Sequence, residues 1–264
     1  MKFKYFLAVA AVTAVCSSVQ AQKSVESTVE VDFVSHYLWR GIDKGGITVI
    51  PSGMVSWQGA SLKLSGTTGL EKDDPKEINI TLGYKLGPVN IGVTDYWTTG
   101  LDYEGRDLYF DWDPVMGAHR LEGNLGLKLP WFSLQAYTFF WGNDFKYQSL
   151  QYTNLRKEPK RAYSTYIELN VPFYMGGIDW DITAGMTPFE GAYNIQEVAN
   201  LNGISLVEKK HFYSGTASCI LASLRATKRL EFGDMKVPVF AELNTNPYMR
   251  KAYFVVGLQV QPFK

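Results

Sequence analysis

Apolar and polar residues alternate with a period of two along most of this 264-residue chain. In the segment EINITLGYK, Ile78, Ile80 and Leu82 occupy one parity, while Glu77 and Thr81 occupy the other. Because successive side chains of a β-strand point to opposite faces, this pattern predicts strands with one apolar and one polar face. The chain shows no convincing apolar stripe of helical period, so the sequence predicts an all-β protein.

The connections between the predicted strands alternate between short and long. The twelve predicted strands lie at residues 27–40, 48–58, 60–69, 77–86, 89–97, 119–129, 132–142, 161–173, 177–187, 212–230, 235–244 and 251–261. Even-to-odd connections are tight, such as Gly87-Pro88, whereas most odd-to-even connections are long, such as residues 98–118. A soluble sandwich gives no reason for this regularity, but an antiparallel transmembrane β-barrel has short turns at one rim and long loops at the other. We therefore predict a twelve-stranded barrel with both termini in the periplasm.

The N-terminus has the features of a secretory signal peptide. A short basic region precedes an apolar stretch from Tyr5 to Val15, and a small-residue cleavage site ends at Ala21. The stretch is shorter than the roughly 20 residues that a transmembrane helix needs. We therefore predict that residues 1–21 are removed and that residues 22–264 form a barrel in the cell outer membrane, in contact with its lipid.

Composition excludes several classes of partner and site. Lys plus Arg and Asp plus Glu number 26 each, so the net charge gives no reason to expect a nucleic-acid partner. Beyond residue 21 the chain contains one cysteine, Cys219, which rules out a scaffold held by internal disulfides. The histidines and cysteines show no zinc-ligand spacing, and we predict no cofactor and no metal. Oligomeric state is not predicted.

The segment SHYLWRGI contrasts two polar residues, His36 and Arg40, with Tyr37 and Trp39 on the other parity. In a barrel we expect the polar pair to project into the lumen and the aromatic pair to face lipid. The lumen-lining candidates are Glu30, Asp32, His36, Arg40, Lys63, Glu77, Lys85, Glu122, Lys128, Glu168, Asp179, Asp181, Arg225 and Glu242. Such charges could line a solute path or form ion pairs that rigidify a plugged barrel, and for any single residue the structural role is favoured.

Arg40 is the most informative of these charges. Its planar guanidinium could hold a carboxylate such as Asp32 or Glu77 through two hydrogen bonds, or it could bind a passing anion.

Tryptophans mark both ends of the predicted strands. Trp39, Trp97 and Trp141 lie near long loops, and Trp57, Trp131 and Trp180 lie near short turns. This placement is typical of the aromatic girdles at the two interfaces of a membrane barrel. One residue breaks the pattern: Asp95 shares the lipid-facing parity of Val93, which is unfavourable unless a bulge or the membrane rim intervenes.

Several segments together resemble a known family. They are VSHYLWRGIDKGG, the following segment that contains Pro51, KEINITLGYKLGPVNIGVTDYW, YSTYIELNVPF and NTNP. These segments are similar to the TorF-like family of porins, Gram-negative outer-membrane proteins that are largely uncharacterised. The resemblance implies a porin or channel for passive passage of small solutes, and it implies no particular substrate.

A second hypothesis comes from the stretch LDYEGRDLYFDWDP. Its loop ligand candidates are Asp102, Glu104, Asp107, Asp111, Trp112 and Asp113. Carboxylates mixed with aromatic rings suit stacking on sugars or coordination of a hard cation. The alternative function is therefore a surface binding or adhesion protein on a barrel, although a loop folded over the barrel mouth is the simpler interpretation.

A third hypothesis is an outer-membrane hydrolase. The three histidines, His36, His119 and His211, are not accompanied by a recognisable nucleophile motif, and Ser35 points to the strand face opposite His36. We therefore predict that the chain is not an enzyme and has no catalytic residues.

Overall fold

The computed structural model describes residues 25–71, 74, 76–99, 108–114, 117–146, 160–201, 204–233 and 235–263. The predicted signal peptide lies outside these residues, as do the loop candidates Asp102, Glu104 and Asp107. The strands are β1 Glu26–Val34, β2 Tyr37–Trp39, β3 Ile42–Gly45, β4 Thr48–Trp57, β5 Ala60–Gly69, β6 Lys76–Leu86, β7 Val89–Thr98, β8 His119–Lys128, β9 Ser133–Gly142, β10 Phe145–Lys146, β11 Lys160–Arg161, β12 Thr165–Met175, β13 Ile178–Thr187, β14 Tyr193–Leu201, β15 Ile204–His211, β16 Ser218–Phe232, β17 Met235–Asn246 and β18 Lys251–Phe263. Over the described part of the chain, no helix has the length and apolarity needed to cross a bilayer.

Twelve of these strands close into one antiparallel barrel. Their order is β1-β18-β17-β16-β13-β12-β9-β8-β7-β6-β5-β4, and β4 pairs with β1 to complete the ring. The all-β class, the antiparallel barrel and the number of wall strands are therefore confirmed. The wall is built almost entirely from strands that are neighbours in sequence, which is why local patterns were sufficient to predict it.

The two rims differ in the way that the connection lengths predicted. Tight turns join β4 to β5, β6 to β7, β8 to β9, β12 to β13 and β16 to β17 at one rim. The longer connections lie at the opposite rim, where β10, β11, β14 and β15 form a separate four-stranded sheet. We call these ends the short-turn rim and the long-loop rim. Residues 161–164 and 212–217, predicted to belong to wall strands, lie in these longer connections instead.

The wall strands carry their apolar side chains outward. Leu125 and Phe254 are 57% and 68% exposed, whereas Thr94 and Glu122 on the opposite parity are buried. Paired residues on neighbouring strands point to the same side of the wall, and Thr94 pairs with both Thr81 and Glu122, so the polar face continues from strand to strand. The arrangement is therefore the inverse of a soluble sandwich, with apolar side chains outside and polar side chains inside.

The first predicted strand, residues 27–40, was wrong beyond Val34. The chain leaves the wall there, and β2 pairs with β3 in a hairpin that belongs to no wall sheet. We call residues 37–45 the inner hairpin. Its two turn residues, Arg40 and Gly41, have φ angles of 52° and 76°, the positive values that a two-residue type I′ turn requires.

The inner hairpin folds into the barrel and contributes to an aromatic core near the long-loop rim. Buried members of this core are Phe139, Tyr166, Tyr213, Ile220 and Leu221, and Trp39, Ile42, Tyr96, Tyr137 and Phe212 pack against them. The prediction that Tyr37 and Trp39 face lipid is therefore wrong. Large rings bury more surface inside the barrel than at its wall, and Trp39 stacks there on Tyr213 with 5.9 Å between ring centroids.

Candidate functional site

An ion pair joins the turn of the inner hairpin to the barrel wall. Nη1 and Nη2 of Arg40 donate to Oε2 and Oε1 of Glu122 at 2.6 and 2.8 Å. The two side chains are only 8% and 1% exposed. The sequence predicted a carboxylate partner for Arg40, but it named Asp32 or Glu77, and the partner is Glu122 of β8.

Aromatic rings surround the Arg40 guanidinium. Its central carbon lies 4.0 Å from the ring centroid of Tyr137, 4.4 Å from that of Trp39 and 4.9 Å from that of Tyr166. Nη1 also donates to the Tyr213 hydroxyl at 2.7 Å. Ring faces attract a cation, and the paired carboxylate completes its coordination. The contacts give Arg40 a structural role and leave no free face for a passing anion.

Tyr213 keeps its proton in this setting. Burial raises the pKa of its phenol, and the nearby Arg40 charge opposes that rise. The hydroxyl is therefore neutral at pH 7 and can accept from Arg40 without adding a second negative charge beside Glu122.

A second contact holds the base of the inner hairpin to β6. Glu77 is buried, accepts a hydrogen bond from the Tyr37 hydroxyl at 3.1 Å and lies 3.5 Å from Nζ of Lys44. Burial lowers the pKa of Lys44, and Glu77 opposes this effect. The Glu77 carboxylate therefore contacts both strands of the inner hairpin, at Tyr37 and at Lys44.

The tip of the inner hairpin reaches another part of the wall. Asn246 of β17 donates from Nδ2 to the Gly41 carbonyl at 3.0 Å. A Cβ on Gly41 would lie 2.1 Å from the carbonyl oxygen of Ile220, the β16 residue that is skipped where the pairing with β13 shifts register. Only glycine fits this approach, so the hairpin spans the lumen from β6 and β8 to β16 and β17.

A cavity of about 270 Å³ remains beside the hairpin. Its polar lining includes Asp32, His36, Arg225, Glu242, Asn244 and Gln259. Arg225 donates from Nε to Glu242 at 2.7 Å, and its guanidinium lies 4.2 Å from the Phe240 ring. His36 lies 2.8 Å from Asp43 and stacks on Tyr253. Side chains of both charge signs therefore line this cavity along β1 and β16 to β18.

The other lumen-lining candidates lie on the same wall parity as Glu77 and Glu122. Their placements are as follows: Glu30 accepts from Gln261 at 2.9 Å, Glu168 accepts from Tyr166 at 2.7 Å, Asp179 pairs with Arg229 at 3.2 Å, Asp181 lies 3.4 Å from Nδ2 of Asn170, and Lys63, Lys85 and Lys128 are exposed. The charges toward the short-turn rim are thus more open to solvent than those around the inner hairpin.

The loop ligand candidates do not cover the barrel mouth where they are described. Asp111, Trp112 and Asp113 belong to a segment that packs on the outer face of β7 to β9, where Trp112 stacks on His119 at 3.8 Å between ring centroids. Within the described ranges, no group of three or more His, Cys, Asp or Glu side chains could hold a metal ion. The interpretation as a loop over the mouth is therefore corrected for these residues.

The sequence contained one signal for the inner hairpin that the strand prediction did not use. Arg40-Gly41 stands between Trp39 and Ile42, and glycine at the second position is favoured in a two-residue hairpin turn. By contrast, no local signal identifies Tyr213 as a partner of Arg40, because 173 positions separate them.

No protein-family model matches the chain, and no curated protein matches it. Solved structures similar to it include the following two. One comes from a study of the mechanism of in-meso crystallization of membrane proteins; it is 11% identical, has a TM-score of 0.42, and the match covers 91% of this chain and 85% of that chain. The other is an outer-membrane channel from Pseudomonas putida F1, 14% identical with a TM-score of 0.38, and the match covers 92% of this chain and 97% of that chain.

Proposed function

We propose that this protein is an outer-membrane β-barrel that lets small polar solutes pass passively through the cavity beside the inner hairpin. The observation that carries the proposal is this charged cavity of about 270 Å³ inside a closed barrel. The proposal assigns no catalytic role to any residue.

The outer surface supports a location in a bilayer. Exposed apolar side chains recur around the ring, including Leu62 on β5, Ile91 on β7, Leu169 on β12 and Leu243 on β17. A soluble monomer rarely exposes apolar area on this scale, because water disfavours it. A closed barrel also satisfies its backbone hydrogen bonds between strands, as the hydrocarbon region demands.

The inner hairpin determines where a solute could travel. It packs into the aromatic core near the long-loop rim, and the proposed path is the cavity between the hairpin and β1, β16, β17 and β18. Because Arg225 and Glu242 meet in this space, we expect weak charge selectivity and a preference for small solutes.

Planar-bilayer recording of the purified protein tests the proposal. We expect small, stable conductance steps for the wild-type protein. Arg225→Gln removes the cavity cation and leaves Glu242, so the reversal potential in a salt gradient should shift toward cation selectivity. Arg250→Gln is the matched control, because Arg250 is exposed at the long-loop rim outside the cavity lining, and it should behave as the wild type.

Heat-modifiable gel migration would first show that each variant is a folded barrel. Folded wild-type protein that gives silent bilayers would overturn the proposal. A reversal potential that is identical in Arg225→Gln and in the control would overturn the assignment of the path to this cavity.

A further inference from the structure

The outer wall contains a carboxylate on its apolar face. Asp95 of β7 pairs with Ile80 and Leu121, and the neighbouring positions on its own parity are Val93 and Trp97. A lone carboxylate on this face would oppose the apolar character of its surroundings. The pairing of β7 with β6 and β8 shows no register shift at Asp95, which lies near the end of β7 at the long-loop rim.

His119 of β8 is the polar partner of Asp95. Its side chain is fully buried, with Nδ1 2.9 Å from Asp95 Oδ2 and Nε2 2.6 Å from the carbonyl oxygen of Tyr109. Since a carbonyl oxygen only accepts, Nε2 carries a proton. Nδ1 lies within hydrogen-bond distance of the carboxylate, so His119 gives Asp95 a polar partner on the apolar face.

A segment from the long-loop rim covers this pair. We call residues 108–114 the outer aromatic segment. Trp112 stacks on His119 with an interplanar angle of 12°, and it lies 5.9 Å from the Trp141 ring. Tyr109 meets Trp97 edge to face at 5.3 Å. The hydrogen bond to the Tyr109 carbonyl oxygen and ring contacts on three wall strands therefore fasten the segment to the wall.

The other side of the segment is apolar and exposed. Phe110 is 88% exposed and Leu108 is 61% exposed, while Trp112 keeps part of its ring accessible. Phe140, on the adjacent wall strand β9, is also exposed. These exposed apolar side chains belong to a segment that contacts the outer face of the wall at Trp97, His119 and Trp141.

We propose that the outer aromatic segment contacts the outer leaflet of the bilayer and that the Asp95–His119 pair is the site that fastens it to the barrel. This inference rests on the proposed membrane location. Continuity with the lipid-facing wall identifies lipid as the occupant, and tryptophan and tyrosine favour the depth where headgroups meet acyl chains. The segment also carries Asp111, whose side chain accepts from the Asp113 backbone amide at 3.0 Å, which suits the headgroup level.

Site-specific fluorescence quenching tests this inference. Phe110→Cys, in a Cys219→Ser background, is labelled with an environment-sensitive fluorophore and reconstituted into vesicles whose phospholipids are brominated along their acyl chains. Phe254→Cys on the exposed outer wall is the lipid-facing reference, and Lys251→Cys at the long-loop rim is the solvent reference.

We expect quenching at position 110 to reach at least about half of that at position 254, because an interfacial side chain enters only the upper acyl region. Position 251 should show little quenching. Strong quenching at 254 with none at 110 would overturn the lipid contact and leave the barrel proposal standing. Absence of quenching at both positions in correctly folded protein would overturn the membrane location itself.

Discussion

Replacing Glu122 by Gln should release the inner hairpin without unfolding the barrel. The change keeps the shape of the side chain but removes the charge that pairs with Arg40 at 2.6 and 2.8 Å. Breaking a buried ion pair by removing one partner costs about 3–5 kcal/mol, and we expect the lower end because the amide oxygen still accepts one hydrogen bond. At about 1.4 kcal/mol per factor of ten, about 3 kcal/mol corresponds to an increase of roughly 100-fold in hairpin opening.

The loss of stability in Glu122→Gln should be confined to the inner hairpin. Hydrogen bonds between neighbouring strands close the wall, whereas the hairpin is held by Glu77, Glu122, Asn246 and ring packing. Local opening is detected by backbone amide exchange, which reports the free energy of each opening unit separately.

Hydrogen–deuterium exchange with mass spectrometry on the reconstituted protein is therefore the assay. Peptides that cover residues 37–45 should exchange roughly 100-fold faster in Glu122→Gln, while peptides from β12 and β13 should be unchanged. Glu231→Gln is the matched control, because its pair with Lys236 is exposed and 3.5 Å long. Such pairs contribute little to stability, so hairpin exchange should remain at the wild-type rate.

Two results would refute this reasoning. One is wild-type exchange in residues 37–45 of Glu122→Gln, which would mean that the ion pair does not hold the hairpin. The other is equal acceleration throughout the wall, which would mean that the pair stabilises the whole barrel. Arg40→Met combined with Glu122→Gln should cost less than the sum of the two single changes, since the double variant leaves no buried unpaired charge.

Two further substitutions test single contacts. His119→Leu leaves Asp95 unpaired on the outer wall and should lower the free energy of unfolding by about 2 kcal/mol, measured by denaturant titration followed by tryptophan fluorescence. The double variant His119→Leu with Asp95→Leu should recover most of this loss. Equal losses in the single and the double variant would contradict the pairing. Gly41→Ala should accelerate exchange in residues 37–45, because the added Cβ would lie 2.1 Å from the Ile220 carbonyl oxygen. Gly176→Ala, which also has a positive φ but has open space around it, should leave hairpin exchange unchanged, and similar acceleration in both variants would refute the steric explanation.

The sequence by itself determined the barrel wall. In segments such as EINITLGYK, the parity of apolar residues is a property of a few adjacent positions, and it specifies the outward face whenever the segment forms a strand. The alternation of short and long connections predicted the closed antiparallel ring, and this prediction was possible because most wall strands pair with their neighbours in sequence.

Only the tertiary structure decided what fills the barrel. Tyr37 and Trp39 have the same alternation whether they continue a wall strand or turn into the lumen. The choice depends on Glu122 and Tyr213, which lie 82 and 173 positions away from Arg40 and form the pocket that its guanidinium enters. Asp95 is a second example. The sequence showed a carboxylate at a lipid-facing position, but only the folded wall places His119 and the outer aromatic segment against it. Facing directions follow from local backbone geometry, whereas burial of a charge depends on partners that distant segments supply.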